Sequence, residues 1–244
     1  MKKYLPFILL GVGIIVLVVV FLVIKKNRSV KSVEKEDTVI TISLNERPIA
    51  SLTPSLDGHW LKLKVEKLLA SAASMDYELL YELPDGRTQG VPGTIKLTGQ
   101  AVIERDLLMG SESSGKFRYD EGVKEGTLTL RFRDANGKLI TKFSTKFALF
   151  SKTKVLTSID ESFSYTLAAI NSKDHFVVME TFGVPKDTPA EVISGPYGIF
   201  GSAKVPISGT VKLDGTNFYR GASSGWTKLE GGKSSDVGIF IGIQ

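Results

Sequence analysis

Residues 5–24 read LPFILLGVGIIVLVVVFLVI, 20 consecutive positions without a charged side chain. A helix rising about 1.5 Å per residue over that length matches the roughly 30 Å hydrocarbon core of a bilayer. Lys2 and Lys3 stand before the run, and Lys25, Lys26 and Arg28 close it. A cleaved signal peptide would have a shorter apolar core, about 7–15 residues, and a small-residue cleavage site. Here the run from Leu5 to Ile24 ends directly in Lys25-Lys26, with no Ala-x-Ala pattern. A retained membrane anchor is therefore expected over residues 1–26, followed by a polar tether at 27–37 (NRSVKSVEKED). Pro6 falls in the first helical turn, where it removes no internal hydrogen bond.

The flanks give conflicting signs for orientation. Lys25, Lys26, Arg28 and Lys31 outnumber Lys2, Lys3 and the amino terminus, and a literal charge count would keep the following domain in the cytoplasm. The leading tail is only four residues, however, and long domains translocate largely regardless of charge. The expectation is a single-pass protein with its N-terminus inside and the bulk of the chain extracytoplasmic.

The same basic residues explain most of the net charge of +5. Without the six in the first 31 positions, 25 basic residues face 26 acidic ones. The remainder is near neutral, and the pI is no argument for nucleic-acid binding. The chain has no cysteine, which excludes anchoring through a lipid-modified Cys, disulfides, thiolate nucleophiles and Cys-based zinc sites.

After the tether the periodicity changes from continuous apolar to alternating. Residues 38–44 (TVITISL) predict an opening strand, and Leu61, Leu63 and Val65 alternate with Lys62, Lys64 and Glu66 as a half-buried strand. Residues 67–75 (KLLASAASM) predict a short helical stretch, 76–83 and 93–103 two further strands, and Pro84-Asp85-Gly86 a turn. Leu128, Leu130 and Phe132 alternate with Thr129, Arg131 and Arg133. Asp134-Ala135-Asn136-Gly137 then turns the chain into another alternating run at 139–150. Asn-Gly between two such runs is a strong hairpin signature, since both residues tolerate positive φ. Strands are expected again at 163–170, 175–182, 209–213 and 237–244, with one helical turn at Thr188-Pro189-Ala190-Glu191.

Two stretches recur in the same order. Residues 93–99 (GTIKLTG) return as 209–215 (GTVKLDG), and 76–82 (DYELLYE) resemble 174–180 (DHFVVME). An internal repeat is expected from them, with the alternative that strands of any β-protein converge on such patterns.

No motif nominates chemistry. His59 and His175 lie far apart in sequence, and there is no metal-ligand spacing, P-loop, G-x-S-x-G or H-E-x-x-H. Catalytic, cofactor and metal residues are therefore not assigned, and an enzyme is not expected. Gly110 to Gly115 (GSESSG) reads as a flexible loop. The remaining candidates are Tyr197, Phe200, Phe218, Tyr219 and Trp226, aromatics set among Gly and Ser, whose rings can contact a ligand or partner or fill a core.

The expected architecture is all-β: an N-terminal transmembrane helix followed by two tandem antiparallel β-sandwiches, immunoglobulin-like in outline, at 38–152 and 153–244. The expected role is a non-catalytic cell-envelope protein for adhesion or protein–protein interaction. A glycan-binding module is the alternative, and a membrane-bound hydrolase a remote one. The last strand, 237–244, is expected to be paired, with Val237, Ile239, Ile241 and Ile243 on one side and Phe240 on the other.

Overall fold

The computed structural model describes residues 42–222 and 224–244. The expected anchor and tether lie outside that range, as does most of the expected opening strand. Among the described residues no helix is long and apolar enough to cross a membrane.

The described chain is all-β, with open, sandwich-like sheets. In order the strands are β1 (Ile49–Pro54), β2 (Trp60–Glu66), β3 (Ser74–Glu82), β4 (Thr88–Lys96), β5 (Val102–Leu108), β6 (Gly110–Ser113), β7 (Lys116–Tyr119), β8 (Glu125–Arg133) and β9 (Leu139–Ser151). There follow β10 (Val155–Thr157), β11 (Phe163–Leu167), β12 (His175–Glu180), β13 (Val192–Gly201), β14 (Gly209–Leu213), β15 (Asn217–Ala222), β16 (Gly225–Leu229), β17 (Lys233–Ser234) and β18 (Ile239–Ile243).

A nine-stranded sheet in the order β16-β15-β18-β13-β12-β9-β8-β3-β4 forms the spine. One cover is the sheet β1-β2-β5, the other is β10-β11-β14-β17, and β6-β7 is a separate hairpin. The alternation along β12 shows how the covers sit. Val177 and Met179 join the core that holds Leu61, Leu63 and Val65 of β2. Phe176 and Val178 join the core that holds Phe163 and Tyr165 of β11. Successive side chains of a strand point to opposite faces, so the covers pack on opposite faces of the spine. This is why β12 reads as an unbroken apolar run where half-buried strands alternate.

The expected boundary at 152/153 falls just after β9. The spine crosses it through the β9–β12 ladder, His175↔Ser151 to Met179↔Phe147. On each side the same order of strands is laid down. A hairpin enters the cover (β1-β2, β10-β11), a hairpin enters the spine (β3-β4, β12-β13), and a fifth strand returns to the cover beside the second (β5, β14). Residues 76–82 and 174–180 do occupy equivalent strands, β3 and β12. The closer match does not: 93–99 lies in and after β4, at the edge of the spine, and 209–215 in and after β14, in a cover.

Several local expectations are corrected. The strand expected over 93–103 is broken: the Gln100 side chain accepts the Thr98 N–H at 2.7 Å, and Gly99 at φ 94° turns the chain from β4 toward β5. Residues 67–73 form turns with no helix, since nine residues are too few to hold one alone, and Leu68 and Leu69 pack on the core directly. No helical turn forms at 188–191, and Leu44–Glu46 is a short 3-10 turn. Gly110 to Gly115 forms β6 and the turn of the β6–β7 hairpin, closed by Ser114 and Gly115 at φ 52° and 75°, the signature of a two-residue primed turn. In the β8–β9 turn only Gly137 takes positive φ. Asp134 Oδ1 accepts the N–H groups of Asn136 and Lys138, which holds a longer turn with a register shift at Arg133.

Candidate functional site

Two equivalent turns organise the surface. In Ser55-Leu56-Asp57-Gly58-His59-Trp60, the Ser55 hydroxyl donates to Asp57 Oδ1 and accepts the Trp60 N–H, and Asp57 Oδ1 also accepts the His59 N–H. In Ser158-Ile159-Asp160-Glu161-Ser162-Phe163, Ser158, Asp160, Phe163 and Ser162 repeat the same three bonds. The backbone bonds repeat as well: Ser55 to Trp60 O and Gly58 to Ser55 O, Ser158 to Phe163 O and Glu161 to Ser158 O. Even the left-handed position is shared, Gly58 at φ 74° and Glu161 at φ 60°. The difference lies in what the closing aromatic does. Phe163 is buried against Tyr197 and Phe240, while Trp60 stays partly in water.

Trp60 belongs to an exposed aromatic ridge. Its ring meets Phe117 edge-on at 5.7 Å, Phe117 lies parallel to Tyr119 at 6.2 Å, and Tyr119 stacks on His59 at 4.0 Å. Phe117 and Tyr119 are 45% and 37% exposed, and Leu56 in the adjoining turn is 68% exposed. None of these side chains joins the buried hydrophobic clusters. Cross-strand, Tyr119 faces Gly110, which offers no side chain to cover it. The hairpin's base is fixed: Met109 is buried, its N–H donates to His59 O, and the Tyr81 hydroxyl donates to Asp120 at 2.8 Å. Burial and the neighbouring Asp120 carboxylate push the Tyr81 hydroxyl well above its ordinary pKa. The ridge is thus a rigid presentation of large rings that the core does not use.

The five aromatics singled out from the sequence do not share one surface. Tyr197 is buried in the core under the second cover, and Phe218 packs at its margin. Tyr219 and Trp226 pack together on Ile241 and Ile243, where Trp226 Nε1 donates to Lys186 O. Phe200 leans on the first core. Phe117 and Tyr119 lie outside every element expected from the sequence, and Trp60 and His59 stand some sixty residues earlier, so no local pattern brings the four together.

A cavity of about 330 Å³ lies beneath the second turn, between Ser158, Ile159 and Asp160 on one side and Lys146, Glu180 and Tyr197 on the other. It arises where the second cover ends and the spine's face toward β9 lies open. Burial raises the Asp160 carboxyl, but hydrogen bonds from Ser158 and from Tyr197, the latter at 2.7 Å, outweigh that and hold it below its ordinary value. Glu180 keeps much of its surface in water, yet its carboxyl sits in the cavity. Partial desolvation first, and then the Asp160 charge, hold it above its ordinary value. Ser158 is committed to Asp160 and to the Phe163 N–H, and both histidines lie toward the other turn, so no activated nucleophile results. Among the described residues no group of three metal-binding side chains forms.

The chain matches no protein-family model, no curated protein and no solved structure.

Proposed function

We propose that the chain is a single-pass, membrane-anchored protein of the cell envelope, non-catalytic, with its β-structure outside the membrane and presented for protein–protein contact. Residues 5–24 are the anchor, and the β-structure is a tandem of two immunoglobulin-like sandwich halves on one shared sheet. The observation that carries the reading is the aromatic ridge of half-buried Trp60 and exposed Phe117 and Tyr119, in contact with one another and absent from every core. Contiguous exposed apolar surface of this kind marks interaction sites, and Trp and Tyr are the residue types most often found at their energetic centres.

Its position adds support. The described chain begins beside Ile49, where Lys67 ties down Asn45 and Val184, while the ridge stands beyond Pro54, about 20 Å along β1.

The test places a photo-crosslinking residue at Phe117 of the full chain in intact cells. A discrete crosslinked protein, lost with Tyr119→Ser, is expected. Absence of any product at Phe117 would remove the reading. Retention on wall polysaccharide without a crosslinked protein would replace it with the glycan alternative. Added protease should shave the β-structure from intact cells, and protection until lysis would reverse the orientation.

A further inference from the structure

The cavity beneath the second turn has an arrangement that the ridge does not explain. One step beyond the Phe147↔Met179 pair, Lys146 and Glu180 sit side by side on the open face of the spine. Both line the cavity, yet neither side chain forms an ion pair or hydrogen bond among the described residues, although the Arg47 charge acts on Glu180. Farther along the same face, partly buried charges are matched: Arg131 binds Glu78 at 3.2 Å and Arg133 binds Asp76 at 2.7 Å. Lys146 also lines the adjoining cavity, together with Glu82, Glu125, Thr127 and Ile159.

The ligand class follows from complementarity. A lone cation would meet Lys146, and a lone anion would meet Glu180 and Asp160. A neutral ligand would leave Glu180 partly desolvated and offer no partner to Lys146. A molecule carrying both signs satisfies them together. A volume of about 330 Å³ is at the lower end of small-molecule sites and has room for roughly ten waters' worth of ligand. Ile159 lies at the cavity's turn side, where it can meet a short apolar side chain.

We propose that this cavity binds a zwitterion of amino-acid to dipeptide size, its ammonium received by Glu180 and Asp160 and its carboxylate by Lys146. Asp160 is fixed by the turn and by Tyr197, and so forms the rigid side. Glu180 and Lys146 close on the ligand from the spine.

Calorimetric titration of the detergent-solubilised full chain with alanyl-alanine tests this. Saturable binding is expected, weakened about tenfold by Glu180→Gln and by Lys146→Met, since each removes one charge-assisted hydrogen bond. N-acetyl-alanyl-alanine, which lacks the ammonium, should not bind wild type, whereas alanyl-alanine amide should bind weakly and ignore Lys146→Met. Absence of saturable heat with alanyl-alanine overturns the proposal. So does equal binding of the acetylated and free dipeptides, a comparison made on wild type that holds even if a variant folds poorly. Substituting Tyr119 leaves this binding intact, so its outcome and that of the crosslinking test are independent.

Discussion

At the scale of single residues, the two equivalent turns make opposite demands. Glu161 holds a left-handed φ of 60° where its counterpart is Gly58, and a non-glycine residue there costs about 1 kcal/mol. Glu161→Gly is therefore expected to raise stability by up to about 1 kcal/mol, less whatever the freer unfolded chain takes back. Gly58→Ala should do the reverse by more, because an added Cβ would stand 2.8 Å from His175 Nε2. Denaturant melts of the two variants give the comparison, and equal signs would mean that the turns are not equivalent. Glu180 makes a second prediction. Its folded form favours the proton, so its contribution to stability is present below its ordinary pKa and lost as pH rises through the raised value. Asp160 runs the other way: its contribution is present above its ordinary pKa and lost as pH falls through the lowered one. Glu180→Gln should thus raise the melting temperature near pH 7 and leave it almost unchanged near pH 4. A loss of stability at neutral pH would show that Glu180 has a partner in the fold. The Ser-x-Asp-x-x-aromatic spacing of both turns is legible in the sequence at 55–60 and 158–163. Comparing strands passes over it, because the signal lies in polar turn residues while the strands around it share little beyond alternation.

At the scale of elements, strands with a clean period of two were legible and those set by side-chain hydrogen bonds were not. Leu61, Leu63 and Val65 are wholly buried, and β8–β9 forms where its alternation places it. The break at Gly99 was hidden, because it depends on Gln100 reaching back to Thr98, which no apolar period reports. The β6–β7 hairpin was hidden for the opposite reason: it buries nothing, so it has no inward face to read. The final strand was legible in kind. β18 lies between β13 and β15, with Phe240 fully buried on one side and Ile241 and Ile243 on the other. Val237 departs from the expectation: it precedes the strand and packs with Phe240's core. Gly242 is needed as glycine, because an added Cβ would clash with the Asp214 carbonyl. Phe240→Ala should cost about 3–5 kcal/mol in a denaturant melt. Deleting residues 237–244 should leave β15 and β16 without a neighbour, and the protein insoluble. A soluble, monomeric truncation that no longer assembles would point to strand exchange instead.

At the scale of the whole molecule, the core of the first half is closed by residues of the second. Val177, Met179 and Phe182 are buried with Leu79, Leu128 and Phe132. The described chain should accordingly unfold in one calorimetric transition, with its van't Hoff and calorimetric enthalpies equal. Two resolved transitions would mean that each half keeps a core of its own. This sharing was beyond the sequence, since the same alternating strands serve two separate sandwiches or one continuous spine equally well. The placement of the ridge beyond the far end of β1 has a mechanical consequence. A tug applied at Tyr119 and resisted near residue 42 runs lengthwise along β1, β2 and β5. Ladder hydrogen bonds lie across that direction, so all of them bear the load at once and none is unzipped before the rest. Pulled from the β16 edge, the nine-stranded spine would instead peel strand by strand at far lower force.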